Sequence, residues 1–100
     1  MQYDVKALVT NLRKSKNAFA TGYRPAFQIR MDYLSTGEII LIDKSSLDFG
    51  DTAEAFIRFL TPNVYPFSLW EGKKVYFMEG DNITGEATIK EIYNSILKAQ

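Results

Sequence analysis

Apolar and polar residues alternate along much of the chain. The alternation is clear over residues 3–10 and again over 27–33, where apolar side chains recur at every second position. Side chains two positions apart point to the same face of a β-strand, so this pattern predicts strands with one buried face. Residues 38–43 (EIILID) are more continuously apolar, which favours a strand that is buried on one face and partly covered on the other.

Segments with glycine or proline divide the chain into six predicted strands. These strands cover residues 3–10, 27–33, 38–43, 52–60, 73–79 and 83–93. Turns are predicted at residues 35–37, 49–51 and 80–82, because glycine and asparagine tolerate positive φ and short turns of this kind connect hairpins. Six short strands with no helical period predict an antiparallel barrel or sandwich.

Residues 63–72 form the longest segment without a strand pattern, and it is rich in aromatic residues. Tyr65, Phe67 and Trp70 lie within it. One interpretation is a lid that buries these rings over one end of the sheet. The alternative is an interaction surface for another protein, because exposed aromatic side chains beside a polar rim are typical of such surfaces.

The composition is that of a folded domain. The chain has 100 residues, of which 46 % are hydrophobic, and this is the size of one domain. We expect a single domain over residues 1–100, with strands over about 3–93 and a short tail, helical or frayed, over 94–100. The first residues carry charges, and no run approaches the roughly 20 apolar residues that span a bilayer. The sequence therefore predicts a cytoplasmic protein without a membrane partner.

The composition excludes most of the common kinds of active site. Cysteine and histidine are absent, which excludes thiolate and imidazole chemistry and the common zinc sites. Two carboxylate pairs, Asp48 with Asp51 and Glu79 with Asp81, lie in predicted turns, where such residues commonly bind backbone N–H groups. We therefore expect no enzymatic activity, no metal site and no cofactor.

The charges are balanced overall but unevenly placed. The chain has 12 basic and 12 acidic residues. Residues 1–30 contain six basic residues and one acidic residue, whereas residues 31–57 contain six acidic residues and one lysine. This asymmetry predicts either a bipolar surface that steers a charged partner or two segments that pair and neutralise each other. A non-specific nucleic-acid binder normally has a clear basic excess, so bulk charge does not drive RNA binding here.

The most specific feature of the sequence is the string FATGYRPAF at residues 19–27. It resembles the start of the C-terminal β-barrel of elongation factor Tu, where a GYRPQF string leads into a strand. The resemblance extends over residues 5–93 and continues at Arg30, Thr36-Gly37, Gly50-Asp51, Pro62, Glu71-Gly72, Glu79-Gly80 and Gly85. It implies a closed six-stranded antiparallel β-barrel of the elongation factor Tu C-terminal domain type.

The resemblance also implies a function, because the matching domain of elongation factor Tu contacts the T arm of tRNA. It implies a non-enzymatic binding module whose partner is tRNA or a protein of the translation machinery. Thr36 and Gly80 match residues of the family that lie near the T-arm backbone. Lys14 and Lys16 keep some positive charge in a loop whose other residues differ from those of the family. The chain has no G-x-x-x-x-G-K-[ST] motif, so we expect no GTP binding by the family's route.

Two further points remain open at the level of sequence. Arg24 of the GYRP string either clamps a phosphate or carboxylate or braces the neighbouring loop through backbone carbonyls. The alternative function is a protein-protein interaction module or subunit, unrelated to translation, that uses Tyr65, Phe67 and Trp70. A homodimer is one arrangement that would cover the face that other domains cover in the family.

Overall fold

The computed structural model describes residues 3–99, so Met1, Gln2 and Gln100 of the predicted domain lie outside the described residues. This part of the chain is all-β, and its strands are β1 Val5–Asn11, β2 Phe19–Ala20, β3 Ala26–Arg30, β4 Tyr33–Leu41, β5 Ser46–Leu47, β6 Thr52–Phe59, β7 Lys74–Glu79 and β8 Asn82–Ile92. Two short 3-10 helices, Pro62–Val64 and Ser95–Leu97, accompany them. Within residues 3–99, no helix has the length and apolar character needed to cross a membrane.

Six of the strands close into an antiparallel barrel in the order β1-β6-β4-β3-β7-β8, which confirms the predicted fold. Every neighbouring pair in the barrel is antiparallel. Closure removes the unpaired edges that an open sheet would present to solvent. The other two strands, β2 and β5, form a separate two-stranded ribbon that the alternation pattern does not predict.

Aromatic rings fill the barrel interior. The ring centroid of Phe27 lies 5.4 Å from that of Phe59 and 5.5 Å from that of Phe77, and all three side chains are buried. Two glycines make room for them. A methyl group at Gly37 would lie 2.8 Å from Cε1 of Phe27, and one at Gly85 would overlap the ring of Phe77. Because a close-packed interior tolerates no such overlap, the strands are held in the register that places these glycines against the rings.

The turn predicted at residues 35–37 is wrong. β4 Tyr33–Leu41 runs through these residues without interruption, and the chain reverses at residues 31–32 instead. The glycine that suggested a turn, Gly37, lies in the strand because its missing side chain leaves space for the ring of Phe27.

One end of the barrel is covered by residues 62–72. Tyr65 and Leu69 from this segment are buried against the core, together with Leu97 from the C-terminal helical turn. The N–H of Leu69 donates to the carbonyl of Leu97 at 2.9 Å. The predicted tail is therefore a helical turn that holds the covering segment in place.

A buried carboxylate joins the start of β1 to the same end. Oδ2 of Asp4 accepts from the N–H of Phe59 at 2.7 Å, and Oδ1 accepts from Nδ2 of Asn94 at 2.8 Å. The carbonyl of Asp4 also accepts from the N–H groups of Tyr93 and Asn94. These bonds compensate the loss of hydration that burial of a carboxylate entails.

The opposite end of the barrel is covered by the β2-β5 ribbon. Asn11, whose side chain is fully buried, lies beneath it. Its Nδ2 donates to the carbonyls of Asn17 and Leu47 at 3.0 and 2.9 Å, and its Oδ1 accepts from the N–H of Arg13 at 3.0 Å. These bonds fix the start of the loop over residues 12–18, which carries two of the predicted site residues.

The packing at Gly85 generates a stability prediction. Replacing Gly85 by alanine places a methyl group in the ring of Phe77 and within 2.5 Å of the carbonyl oxygen of Thr10. We expect the free energy of unfolding to fall by about 3 kcal/mol, the upper part of the range for overpacked cores. Urea denaturation followed by circular dichroism measures this change. Lys90→Ala, at an exposed position of the same strand, is the control, and equal stability of the two variants would contradict the packing argument.

Candidate functional site

An open groove of about 280 Å³ lies on the outer face of the barrel, where β4 and β6 pair. It is lined by Arg24, Thr36, Gly37, Glu38, Arg58, Phe59 and Leu60. Pairing of Glu38 with Arg58 across the two strands brings their side chains to the same face. The N–H of Leu60 donates to the carbonyl of Thr36 at 2.9 Å, which holds these two lining residues side by side.

Two arginines share one carboxylate in this groove. Nη2 of Arg58 donates to Oε1 of Glu38 at 2.9 Å, and Nη2 of Arg24 lies 3.5 Å from Oε2. The side chain of Arg24 is 69 % exposed. The trio has a net positive charge, and most of the N–H donors of Arg24 face solvent. Among residues 3–99, Arg24 thus pairs with a carboxylate rather than bracing the loop through backbone carbonyls.

Lys14, Lys16 and Gly80 lie together at the end of the barrel that the ribbon covers. Nζ of Lys14 donates to Oδ1 of Asn82 at 3.4 Å, which places the loop over residues 12–18 beside the β7-β8 turn. All three predicted residues are exposed, and Gly80 adopts a positive φ of 59° at the tip of the turn. The backbone N–H groups of such a turn can face a bound phosphate oxygen.

β3 lies between the groove and the strand that leads to Gly80. Ala26 pairs with Thr36 on one side and with Met78 on the other. Neighbouring strands lie about 4.8 Å apart, so Thr36 and the end of β7 are separated by about 10 Å. Gly80 follows Met78 by two positions. The five residues predicted to contact RNA thus lie along one side of the barrel.

Tyr23 precedes Arg24 of the groove in the chain, and its side chain contacts the loop over residues 12–18 and the end of β7. Its hydroxyl donates to Glu79 and is 3.0 Å from Oγ1 of Thr84, and the guanidinium of Arg13 lies 5.4 Å from the ring centroid. Burial and the hydrogen bond to Glu79 raise the pKa of Tyr23 to about 12. Arg13 also forms an ion pair with Glu79, with a nitrogen to oxygen distance of 3.2 Å. Glu79 thereby neutralises part of the positive charge of the loop over residues 12–18, called the basic loop.

The aromatic segment is divided between core and surface. Tyr65 is 1 % exposed, and its hydroxyl lies 2.7 Å from that of Ser35. Phe67 and Trp70 are each 52 % exposed. The lid interpretation therefore accounts for Tyr65, which lies inside the fold and presents no surface to a partner. The other two rings remain accessible.

Lys73 holds the ring of Trp70 in its exposed position. Its ammonium lies 4.5 Å from the ring centroid and donates to the carbonyls of Ser68 and Ile29, at 2.7 and 3.1 Å. Burial of the ammonium and the nearby charge of Arg30 lower the pKa of Lys73.

Three groove residues, Glu38, Arg58 and Leu60, were not predicted from the sequence. The alternation places all three on the outer face of predicted strands. It does not predict that β4 pairs with β6, and this pairing brings them together. Of the predicted carboxylate pairs, Asp48 and Asp51 are joined by a backbone bond in a turn, and Glu79 belongs to the network around Tyr23. The N–H of Asp51 donates to the carbonyl of Asp48, and Glu79 accepts from Tyr23. Within the part of the chain described, no three potential metal ligands of the acidic type cluster together.

No protein-family profile matches the chain, and no curated protein gives a significant match.

The raised pKa values generate a prediction for alkaline pH. The chain has six tyrosines, and the pKa of Tyr65, like that of Tyr23, is raised to about 12, mainly by burial. Because the folded-state pKa lies above the unfolded value of 10.0, the protonated hydroxyls stabilise the fold below pH 10. This contribution is lost as the pH rises toward 12. In a spectrophotometric titration we expect these two tyrosines to ionise only as the pH approaches 12, together with unfolding.

Tyr65→Phe provides the control for this titration. We expect the variant to lose one late-ionising group and to unfold at lower denaturant concentration, because the hydrogen bond to Ser35 is lost. Ionisation of all six tyrosines in one step near pH 10, with the fold retained, would contradict the assignment.

Proposed function

We propose that the chain is a non-enzymatic binding module, related to the C-terminal barrel of elongation factor Tu, that binds the backbone of tRNA or of another RNA of the translation machinery. The observation that carries this proposal is the meeting of Arg24 and Thr36 in one positively charged groove. Lys14, Lys16 and Gly80 lie on the same side of the barrel, beside β7, whose residue Met78 is two strand spacings from Thr36.

The chemistry of these residues suits an RNA backbone. Lysine and arginine neutralise phosphates, and a threonine hydroxyl or a backbone N–H can bond to phosphate or sugar oxygens. Double-stranded RNA is recognised mostly through its phosphates and 2′-hydroxyls. A surface that offers cations, a hydroxyl and backbone N–H groups therefore favours recognition of the backbone over recognition of sequence.

The charge of the surface predicts the strength of binding. Glu38 and Glu79 each pair with arginines of the surface, which leaves a small positive excess. Each phosphate contact releases counterions, so even a few contacts make the affinity depend on salt. We expect weak binding that is lost at high ionic strength.

The test is fluorescence anisotropy of labelled tRNA with the wild-type chain at about 50 and 200 mM salt. We expect the doubly substituted variant Lys14→Glu with Lys16→Glu to bind at least about tenfold more weakly at low salt, because it replaces attraction to two phosphates with repulsion. The double charge reversal Lys90→Glu with Lys98→Glu, at two exposed positions outside this surface, is the matched control and should change the affinity by less than about twofold. Absence of wild-type binding at low salt, or equal effects of the two charge reversals, would refute the proposal.

A second candidate function, protein-protein interaction, is favoured by the geometry of Phe67. This residue has a φ of 60°, a region that bulky residues rarely adopt, and its N–H donates to the carbonyl of Ile96 at 2.8 Å. The ring is thus held outward by its backbone, close in sequence to the half-exposed Trp70. Backbone strain of this kind concentrates at functional positions. A second copy of the chain is the simplest partner for the two rings.

Trp70 is the single tryptophan and reports directly on this surface. If two copies pair through it, iodide quenching of its fluorescence should weaken as protein concentration rises, and sedimentation should show dimers. Phe67→Ala should abolish the dimer, whereas Ile83→Ala, which removes an exposed apolar side chain of β8, should not. Quenching that is independent of concentration would exclude the homodimer.

A further inference from the structure

Backbone hydrogen bonds hold Arg24 above the groove. The carbonyl of Tyr23 accepts from the N–H of Ile39 at 2.8 Å, and the carbonyl of Pro25 accepts from the N–H of Gly37 at 3.1 Å. These two bonds flank Arg24, in the segment that precedes β3, and Glu38 on β4. The guanidinium of Arg24 is therefore brought to the carboxylate by the backbone, although its own contact with that carboxylate is loose.

Arg58 is held more firmly, from two sides. Its guanidinium donates to Glu38 at 2.9 Å and lies 5.6 Å from the ring centroid of Tyr3. The register of β4 and β6 places Arg58 directly opposite Glu38. Both guanidiniums thus converge on one point at the mouth of the groove. Each has five N–H donors, and the single carboxylate leaves most of them available.

We propose that Arg24 and Arg58 together bind one phosphodiester of the RNA backbone in this groove, and that Glu38 positions both guanidiniums while its charge limits the affinity. This inference rests on the proposed function and adds Arg58, which the family resemblance does not single out. Paired guanidiniums are suited to phosphate because the N–H donors match the arrangement of its oxygens.

The shape of the groove fits a single nucleotide unit. Its volume of about 280 Å³ is at the small end of ligand sites. Thr36 provides a hydroxyl beside the arginines, and Leu60, which is exposed, provides an apolar face against which a ribose can pack. An acidic peptide would satisfy the arginines as well. RNA is favoured because Lys14 and Gly80, which lie beside each other at the ribbon-covered end of the barrel, offer further contacts for a phosphate backbone.

The salt dependence of RNA binding tests this assignment. For each phosphate that a residue neutralises, the slope of log affinity against log salt contains a contribution of about 0.9. Because the two arginines hold the same phosphate, we expect the loss of either one, in Arg58→Ala or in Arg24→Ala, to remove this single contribution from the slope. Arg58→Lys should retain the slope because it keeps the charge. Lys90→Ala is the control and should leave the slope unchanged. Thermal unfolding of each variant verifies the fold.

Glu38→Gln should change the affinity for RNA in the direction opposite to the arginine variants. The substitution removes a negative charge beside the site and keeps an oxygen that can accept from Arg58. We expect the affinity for RNA to rise by about threefold, a change typical of one exposed charge pair. A merely structural role of Glu38 predicts weaker binding of RNA instead, and that result would overturn its assignment.

The outcomes separate this inference from the proposed function. RNA binding with unchanged slopes in the two arginine variants would overturn the groove assignment and leave the proposed function standing. Failure of the wild-type chain to bind RNA would overturn both. In that case, inorganic phosphate and an oligoglutamate peptide are titrated while the amide signals of Gly37 and Leu60 are followed by nuclear magnetic resonance. A shift with either probe would reassign the groove to a free anion or an acidic peptide.

Discussion

The architecture depends on how three aromatic rings fit inside a narrow barrel. Phe27, Phe59 and Phe77 occupy the interior because Gly37 and Gly85 present no side chain to them. A shift of one residue between neighbouring strands would reverse every side chain and replace the glycines with residues that clash. The same register that satisfies the core places an acidic residue of β4 opposite an arginine of β6 on the outer face. The groove is thus a consequence of the interior packing.

The two ends of the barrel are closed by different means, and each closure positions one candidate surface. At one end, the buried carboxylate of Asp4 and the helical turn Ser95–Leu97 secure the segment that carries Phe67 and Trp70. At the other, the buried amide of Asn11 secures the ribbon and the basic loop. In both cases a satisfied polar group in the core determines where an exposed loop leaves the barrel.

The sequence was sufficient for most of the strands and for the barrel architecture, but not for the register between the strands. Alternation located β6 and the β7-β8 hairpin closely, because a period of two records which face of a strand is buried. It failed at residues 35–37, where glycine serves the packing of Phe27 rather than a turn. It also missed the β2-β5 ribbon, since two-residue strands carry no period. Thr36 and Arg24 were identified as candidates, whereas Arg58 required the register of β4 and β6.

The distribution of charge explains how a neutral chain can present a positively charged groove. Two ion pairs, Lys6 with Glu54 and Arg24 with Glu38, join the basic first part of the chain to the acidic part that follows. The two segments therefore neutralise each other in part, which is one of the two arrangements that the charge pattern predicted. The pairing is incomplete at Glu38, because a single carboxylate faces two arginines. A local excess of this kind supports a small number of phosphate contacts without the basic surplus that non-specific binding requires.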